Sequence, residues 1–196
     1  MDMRNRETFL IHVMNAGFEK AALSFSKLIN RPVKITNTQS ILIRHDDDFS
    51  CISEEQGDLY VLVTHIIGDI AGKSFLFFNR EESEEIFKAL KSSMVSESLN
   101  EAFLMEIDNI ISASVISEIS NTFNLEIYGD VPHLNKIHSR DLQEFLTKEI
   151  SKEDPSSVIF SNTTFQFDQK DRVHPQFVWK LSSKIFDLIP DQQLTA

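Results

Sequence analysis

With 196 residues and 22.5 kDa, the chain can bury a sizeable core without a covalent staple, and its single cysteine, Cys51, excludes an internal disulfide. A formal charge of −11 repels phosphate backbones and anionic bilayers, which argues against nucleic acid and membrane partners. Sixteen Phe against one Trp and two Tyr predict a core of Phe, Ile and Leu, and only five Gly and five Pro exclude a low-complexity chain.

Residues 6–29 carry Phe9, Leu10, Val13, Ala16, Gly17, Ala21, Phe25, Leu28 and Ile29 at three- and four-residue spacing, which predicts a helix burying one stripe. Asn30-Arg31-Pro32 ends it, because proline disfavours helix at the preceding residue. Residues 33–36 and 40–44 read as short strands, and His45-Asp46-Asp47-Asp48 as a solvated loop. The β-branched and aromatic runs 59–67 and 73–78 flank Gly68-Asp69-Ile70-Ala71-Gly72, a hairpin pattern. Residues 81–94 read as a helix with acidic residues in its first turn, where they favour the dipole. A longer helix follows over 97–123.

A strand is predicted over 125–128, and a helix over 139–150 with Leu142, Phe145, Leu146 and Ile150 as its apolar face. After the break at Glu153-Asp154-Pro155 come strands at 158–160, 165–167 and 176–181, then a short helix at 184–189. Helices interspersed with antiparallel hairpins make an α+β, or mixed α/β, fold rather than a regular parallel crossover one. No N-terminal segment has the shape of a secretory signal and no apolar run is long enough to cross a bilayer as a helix, so a cytoplasmic setting is expected.

Self-comparison gives a weak internal repeat. His12-Val13-Met14-Asn15 parallels Glu106-Ile107-Asp108-Asn109 at a constant shift of 94 residues, which also places Ser26 with Ser120 and Val33 with Ile127. The Glu-x-x-Asn pattern over Glu106–Asn109, followed by Ile110-Ile111-Ser112-Ala113-Ser114 and a strand, resembles the signature of the CheC/CheX/FliY chemotaxis phosphatases. Ala16-Gly17, Ala21-Ala22, Arg31-Pro32-Val33 and the Gly68–Gly72 hairpin with its Phe-rich second strand are similar to that family as well. The resemblance spans roughly residues 5–185, and beyond about Pro132 it rests on element order.

That resemblance implies one CheC-like domain over 1–196, pseudo-two-fold and built of two related halves at about 5–95 and 97–190. It implies a predominantly antiparallel sheet and two long repeat-related helices. Glu106 and Asn109 would be the working pair of a hydrolase acting on the aspartyl phosphate of a phosphorylated CheY-like response regulator. Residues three apart share a helix face. Asn109 would position the water, since its amide both donates and accepts, and Glu106 would pair with a lysine of the regulator. No cofactor of its own is implied, because the regulator carries the Mg²⁺. His12 and Asn15 form the degenerate first copy, with His12 at the glutamate position. Asp108 stands where the family has glycine and adds an anion beside the pair. Ala102 and Ala113 extend the face, with Phe103, Ile107, Ile110 and Ser114 as the inward stripe.

The alternative is a non-catalytic docking module of the same fold, binding a regulator, a CheD-like deamidase or a flagellar-switch component. A single retained site is similar to the CheX branch, whose members pair as homodimers. Other motifs are set aside. Gly68–Ser74 has one residue too few between its glycines for a phosphate-binding loop and leads into a strand. Asn162-Thr163-Thr164 fits a glycosylation acceptor that a cytoplasmic chain would not use. Cys51 is taken as structural, and the chain shows no cysteine and histidine spacing of a zinc site.

Overall fold

The computed structural model describes residues 3–43, 57–89, 96–150, 156–167 and 171–189. Helix α1 (Met3–Ile29) leads into β1 (Val33–Ile43), the hairpin β2 (Asp58–Gly68) and β3 (Gly72–Asn79), and α2 (Arg80–Ala89). Then come α3 (Glu97–Phe123), β4 (Ile127–Gly129), β5 (His133–His138), a 3₁₀ turn (Ser139–Asp141) and α4 (Leu142–Glu149). The chain closes with β6 (Ser156–Phe167), β7 (Asp171–Val173), β8 (Gln176–Ser182) and the short α5 (Lys184–Asp187).

The strands form one antiparallel sheet in the order β1-β6-β8-β3-β2-β4, with β5 also on β2 and β7 on β6. Its apolar runs are explained by burial on both faces. Leu62, Ile66, Leu76, Phe78, Phe177 and Trp179 face α1 and α3, whereas Leu59, Val61, Val63, Phe75, Phe77 and Val178 face Leu142 and Leu146 of α4. The α+β reading therefore holds, with the antiparallel sheet sandwiched between helices.

The two long helices end alike. Asn30 and Asn124 both take the left-handed conformation at φ 52°, the peptide N–H of Arg31 donates to Ser26 O (3.2 Å), and that of Leu125 donates to Ser120 O (2.9 Å). Asparagine tolerates this conformation better than most residues, so it stops a helix without a glycine. These paired positions are those related by the shift of 94 residues in the sequence.

Helices α1 and α3 meet at Gly17, where an added Cβ would lie 2.6 Å from Val115 Cα. Helix propensity alone favours alanine there by about 1 kcal/mol, but the obstructing atom is backbone, and overpacking of this kind costs about 1–3 kcal/mol. Gly17→Ala is accordingly expected to lower stability by about 1 kcal/mol, read as a shifted urea midpoint at unchanged m-value.

Several sequence expectations need correction. Residues 33–36 and 40–43 belong to one strand, β1, with a register irregularity between Asn37 and Gln39, whereas Arg44 lies outside the described residues; 158–160 and 165–167 are parts of β6. Strands β5 and β7 were not anticipated. The helix over 81–94 is described only to Ala89, while His45–Asp48 and Cys51 lie outside the described residues. The inward stripe of α3 is Leu104, Ile107, Asp108, Ile111, Ser112 and Val115; Phe103, Ile110 and Ser114 are half-buried.

Candidate functional site

Because α3 buries its Leu104–Ile111–Val115 stripe, the opposite face is turned outward, and Ala102, Glu106, Asn109 and Ala113 are all exposed on it. Glu106 and Asn109 stand one turn apart at the rim of a groove of about 450 Å³, formed between α3 and residues 128–132. Ile67, Tyr128 and Val131 line the rest, and Tyr128 (61% exposed) and Val131 (74%) leave a large apolar surface in water beside the polar pair. An apolar patch bordered by polar groups is the composition of a protein-docking surface. His12 is exposed and Asn15 half-buried on α1, so the two candidate pairs occupy separate helices.

Asp108 is not beside this pair. Its carboxylate is fully buried, with Thr64 Oγ1 donating to Oδ2 at 2.7 Å and Ser112 Oγ donating to Oδ1 at 3.1 Å; Ser112 in turn meets Ser74 at 2.9 Å. The expectation of a second anion at the surface was wrong because position 108 lies four residues after Leu104 and three before Ile111, on the inward stripe. The polar network ties α3 to β2 and β3 directly behind Asn109, so the outward face is held by a specific anchor.

Burial pushes the Asp108 carboxyl up from its usual 3.8 to about 6, against the lowering effect of the two hydroxyl donors. The folded protein therefore binds this proton more tightly than the unfolded chain does. Between about pH 4 and 6 stability falls as pH rises, and the full penalty is present above about pH 6. An asparagine in place of Asp108 could keep both hydroxyl contacts without a charge. Asp108→Asn is expected to raise stability at pH 7.5 by of the order of 2 kcal/mol and to flatten the fall in this window, as measured by urea unfolding at several pH values.

A larger cavity, about 640 Å³, lies between α2, β5 and the start of α3. Its lysine is committed: Lys136 Nζ pairs with Glu97 Oε1 at 2.5 Å and with Glu101 Oε1 at 2.6 Å. These pairs tether β5 to the first turns of α3 and leave less charge to attract a ligand. The groove at Glu106 and Asn109 is the better candidate.

Sequence spacing missed a second constellation, formed by His65, Asp130 and His133. Their ligand-capable atoms lie within 4.8 Å of one another. Only the pairing of β2 with β5 brings the two histidines together.

No protein-family profile matches the chain, and no curated protein does. Among solved structures, Thermotoga maritima FliY superposes with a TM-score of 0.71 at 14% identity, covering 95% of this chain and 94% of that one. The chain has a CheC/CheX/FliY-type fold. The chemotaxis protein CheX of Desulfovibrio desulfuricans shares this fold at a TM-score of 0.52 and 14% identity, over 87% of this chain and 97% of that one. A chain of the H. pylori FliG–FliM complex matches at 0.66 and 11% identity, over 95% and 100%. The CheC/CheX/FliY-type fold thus covers nearly the whole chain, in line with the resemblance over roughly residues 5–185. Among the described residues, no helix is long and apolar enough to cross a membrane.

Proposed function

We propose that the outward face of α3 docks a phosphorylated CheY-like response regulator and that Asn109 promotes hydrolysis of its aspartyl phosphate. The observation that carries this reading is the joint exposure of Glu106 and Asn109 on one turn, at the rim of an apolar groove. Asn109 can accept a hydrogen bond from a water and donate one to a phosphoryl oxygen from one planar amide, which holds the water in line with phosphorus. No strong base is required, because phosphoryl transfer with a loose transition state responds mainly to positioning and charge neutralisation. The regulator brings the phosphoryl group and its own Mg²⁺.

Glu106 fixes the register by pairing with a lysine of the regulator, while Tyr128 and Val131 supply apolar contact. A charge-assisted hydrogen bond contributes about 1.5–3 kcal/mol, so Glu106→Ala is expected to weaken regulator binding at least about 10-fold. At saturating regulator the phosphate-release rate should stay close to wild type. Titration of fluorescently labelled regulator, followed by phosphate release at saturation, checks both statements.

The same fold is found in a complex of FliM with FliG, and His12 stands where a second glutamate would be. Both observations favour a second reading, a docking module that binds a regulator, a CheD-like deamidase or a switch component without hydrolysis. Loss of phosphate from a purified phosphorylated regulator, timed with and without this protein, separates the two. A hydrolase shortens the lifetime at substoichiometric amounts; a docking module binds and leaves it unchanged.

A further inference from the structure

Val63 of β2 lies opposite His133 of β5, and side chains alternate along a strand, so His65 and His133 project from the same face of the sheet. Their rings meet edge to face with centroids 6.3 Å apart. Thr64, between them in register, points the other way to Asp108. Asp130, in the link between β4 and β5, is clamped to the same strand: its N–H donates to His65 O at 2.9 Å, and its Oδ1 accepts the N–H of His65 at 2.8 Å. Oδ2 is thereby held 3.1 Å from His65 Nδ1.

We propose that His65, Asp130 and His133 form a three-ligand site for a divalent transition metal of the zinc class. Two ligands on one tetrahedral zinc, each at about 2.0–2.1 Å from the ion, stand roughly 3.3 Å apart. Asp130 and His65 already have that separation. His133 is exposed and within 4.8 Å of both, so a rotamer adjustment closes the set. The backbone donor on Oδ1 fixes the carboxylate orientation, as the partners of metal ligands commonly do. Imidazole and carboxylate donors suit zinc, cobalt and nickel better than calcium, which takes six or more oxygens.

A simple ion pair between His65 and Asp130 would use the same 3.1 Å contact but would have no need of His133. Lys73, opposite His65 on β3, has its charge matched by Glu149 at 2.6 Å, so it does not oppose a cation strongly. The three ligands leave a fourth position open to water or to a partner's side chain. Asp130 also belongs to the segment that walls the groove, so a bound ion would stiffen that wall. The site does not depend on the phosphatase reading.

The full chain, stripped with a chelator and titrated with Co²⁺ alone, should take up one equivalent and develop the visible absorption of a four-coordinate site, with Zn²⁺ displacing it. His65→Ala and His133→Ala should each weaken binding at least about 10²-fold, while His138→Ala, at the far end of β5, should bind as wild type does. Because His133 is exposed, its variant should fold, which the far-ultraviolet circular dichroism spectrum verifies. No saturable binding by the wild-type chain, or His133→Ala binding as tightly as wild type, would overturn the three-ligand site.

Discussion

An Asn109→Ala protein is expected to release phosphate from a phosphorylated regulator roughly 10²-fold more slowly than wild type, about 3 kcal/mol in the barrier, with regulator affinity within a factor of about three. The size follows from losing one well-placed polar group in a water-excluded interface. The preserved affinity follows from the proposed division of labour, in which Glu106 on α3 and Tyr128 and Val131 across the groove would hold the partner while Asn109 meets the reacting water. Asn109 is exposed on the outward face of α3, so the alanine variant should fold as wild type does. Single-turnover phosphate release at saturating protein, with binding measured separately, isolates the chemical step. Equal rates for the two proteins would remove Asn109 from the mechanism.

Trp179→Ala should cost about 3–5 kcal/mol and lower the melting temperature by about 6–20 °C. Trp179 is fully buried on β8, between β3 and β6, stacked on Phe177 at 6.1 Å and edge-on to Phe18 of α1 at 6.4 Å. It joins the sheet centre to the helix layer, and its removal leaves a cavity that strands paired on both sides cannot collapse. Among the described residues no acceptor meets its Nε1. A buried donor without a partner costs about 1–3 kcal/mol, and removing it offsets much of the packing lost when the indole is replaced by the smaller phenyl ring. Trp179→Phe is therefore expected to stay within about 1 kcal/mol of wild type in the same unfolding experiments.

The helices and the central hairpin were legible in the sequence because one-sided burial imposes a period. The spacing of Leu10, Val13, Gly17, Ala21 and Phe25 announced α1, and the glycines at 68 and 72 announced the hairpin. Gly68, at φ 120°, leaves no room for a side chain against Glu126 O, so it is required for the turn itself rather than for phosphate binding. Where polar residues sit inside strands, local pattern failed. Ser161 and Thr163 are buried in β6 because Ser40 Oγ and Pro175 O satisfy them, a tertiary arrangement with no signature in neighbouring residues.

Strand β5 escaped for a related reason: its residues are half-buried or exposed, and only Leu134 and Ile137 are apolar. The candidate pair and its outward face were readable as a spacing, but the place of Asp108 was not, because assigning the inward stripe one position away left Asp108 outside. Leu104 and Ile111, four residues before and three after Asp108, were the available signal. The histidine and aspartate constellation depends on strand register across distant segments, so no local motif could announce it.

The most direct measurement of the docking claim is a hydrogen-exchange footprint of the phosphorylated regulator on this protein. Slowed exchange should be confined to α3 around residues 102–113 and to residues 128–132, with α1 around His12 and Asn15 unchanged. Protection centred on α1, or on the outer edge at β1 with α3 untouched, would contradict it.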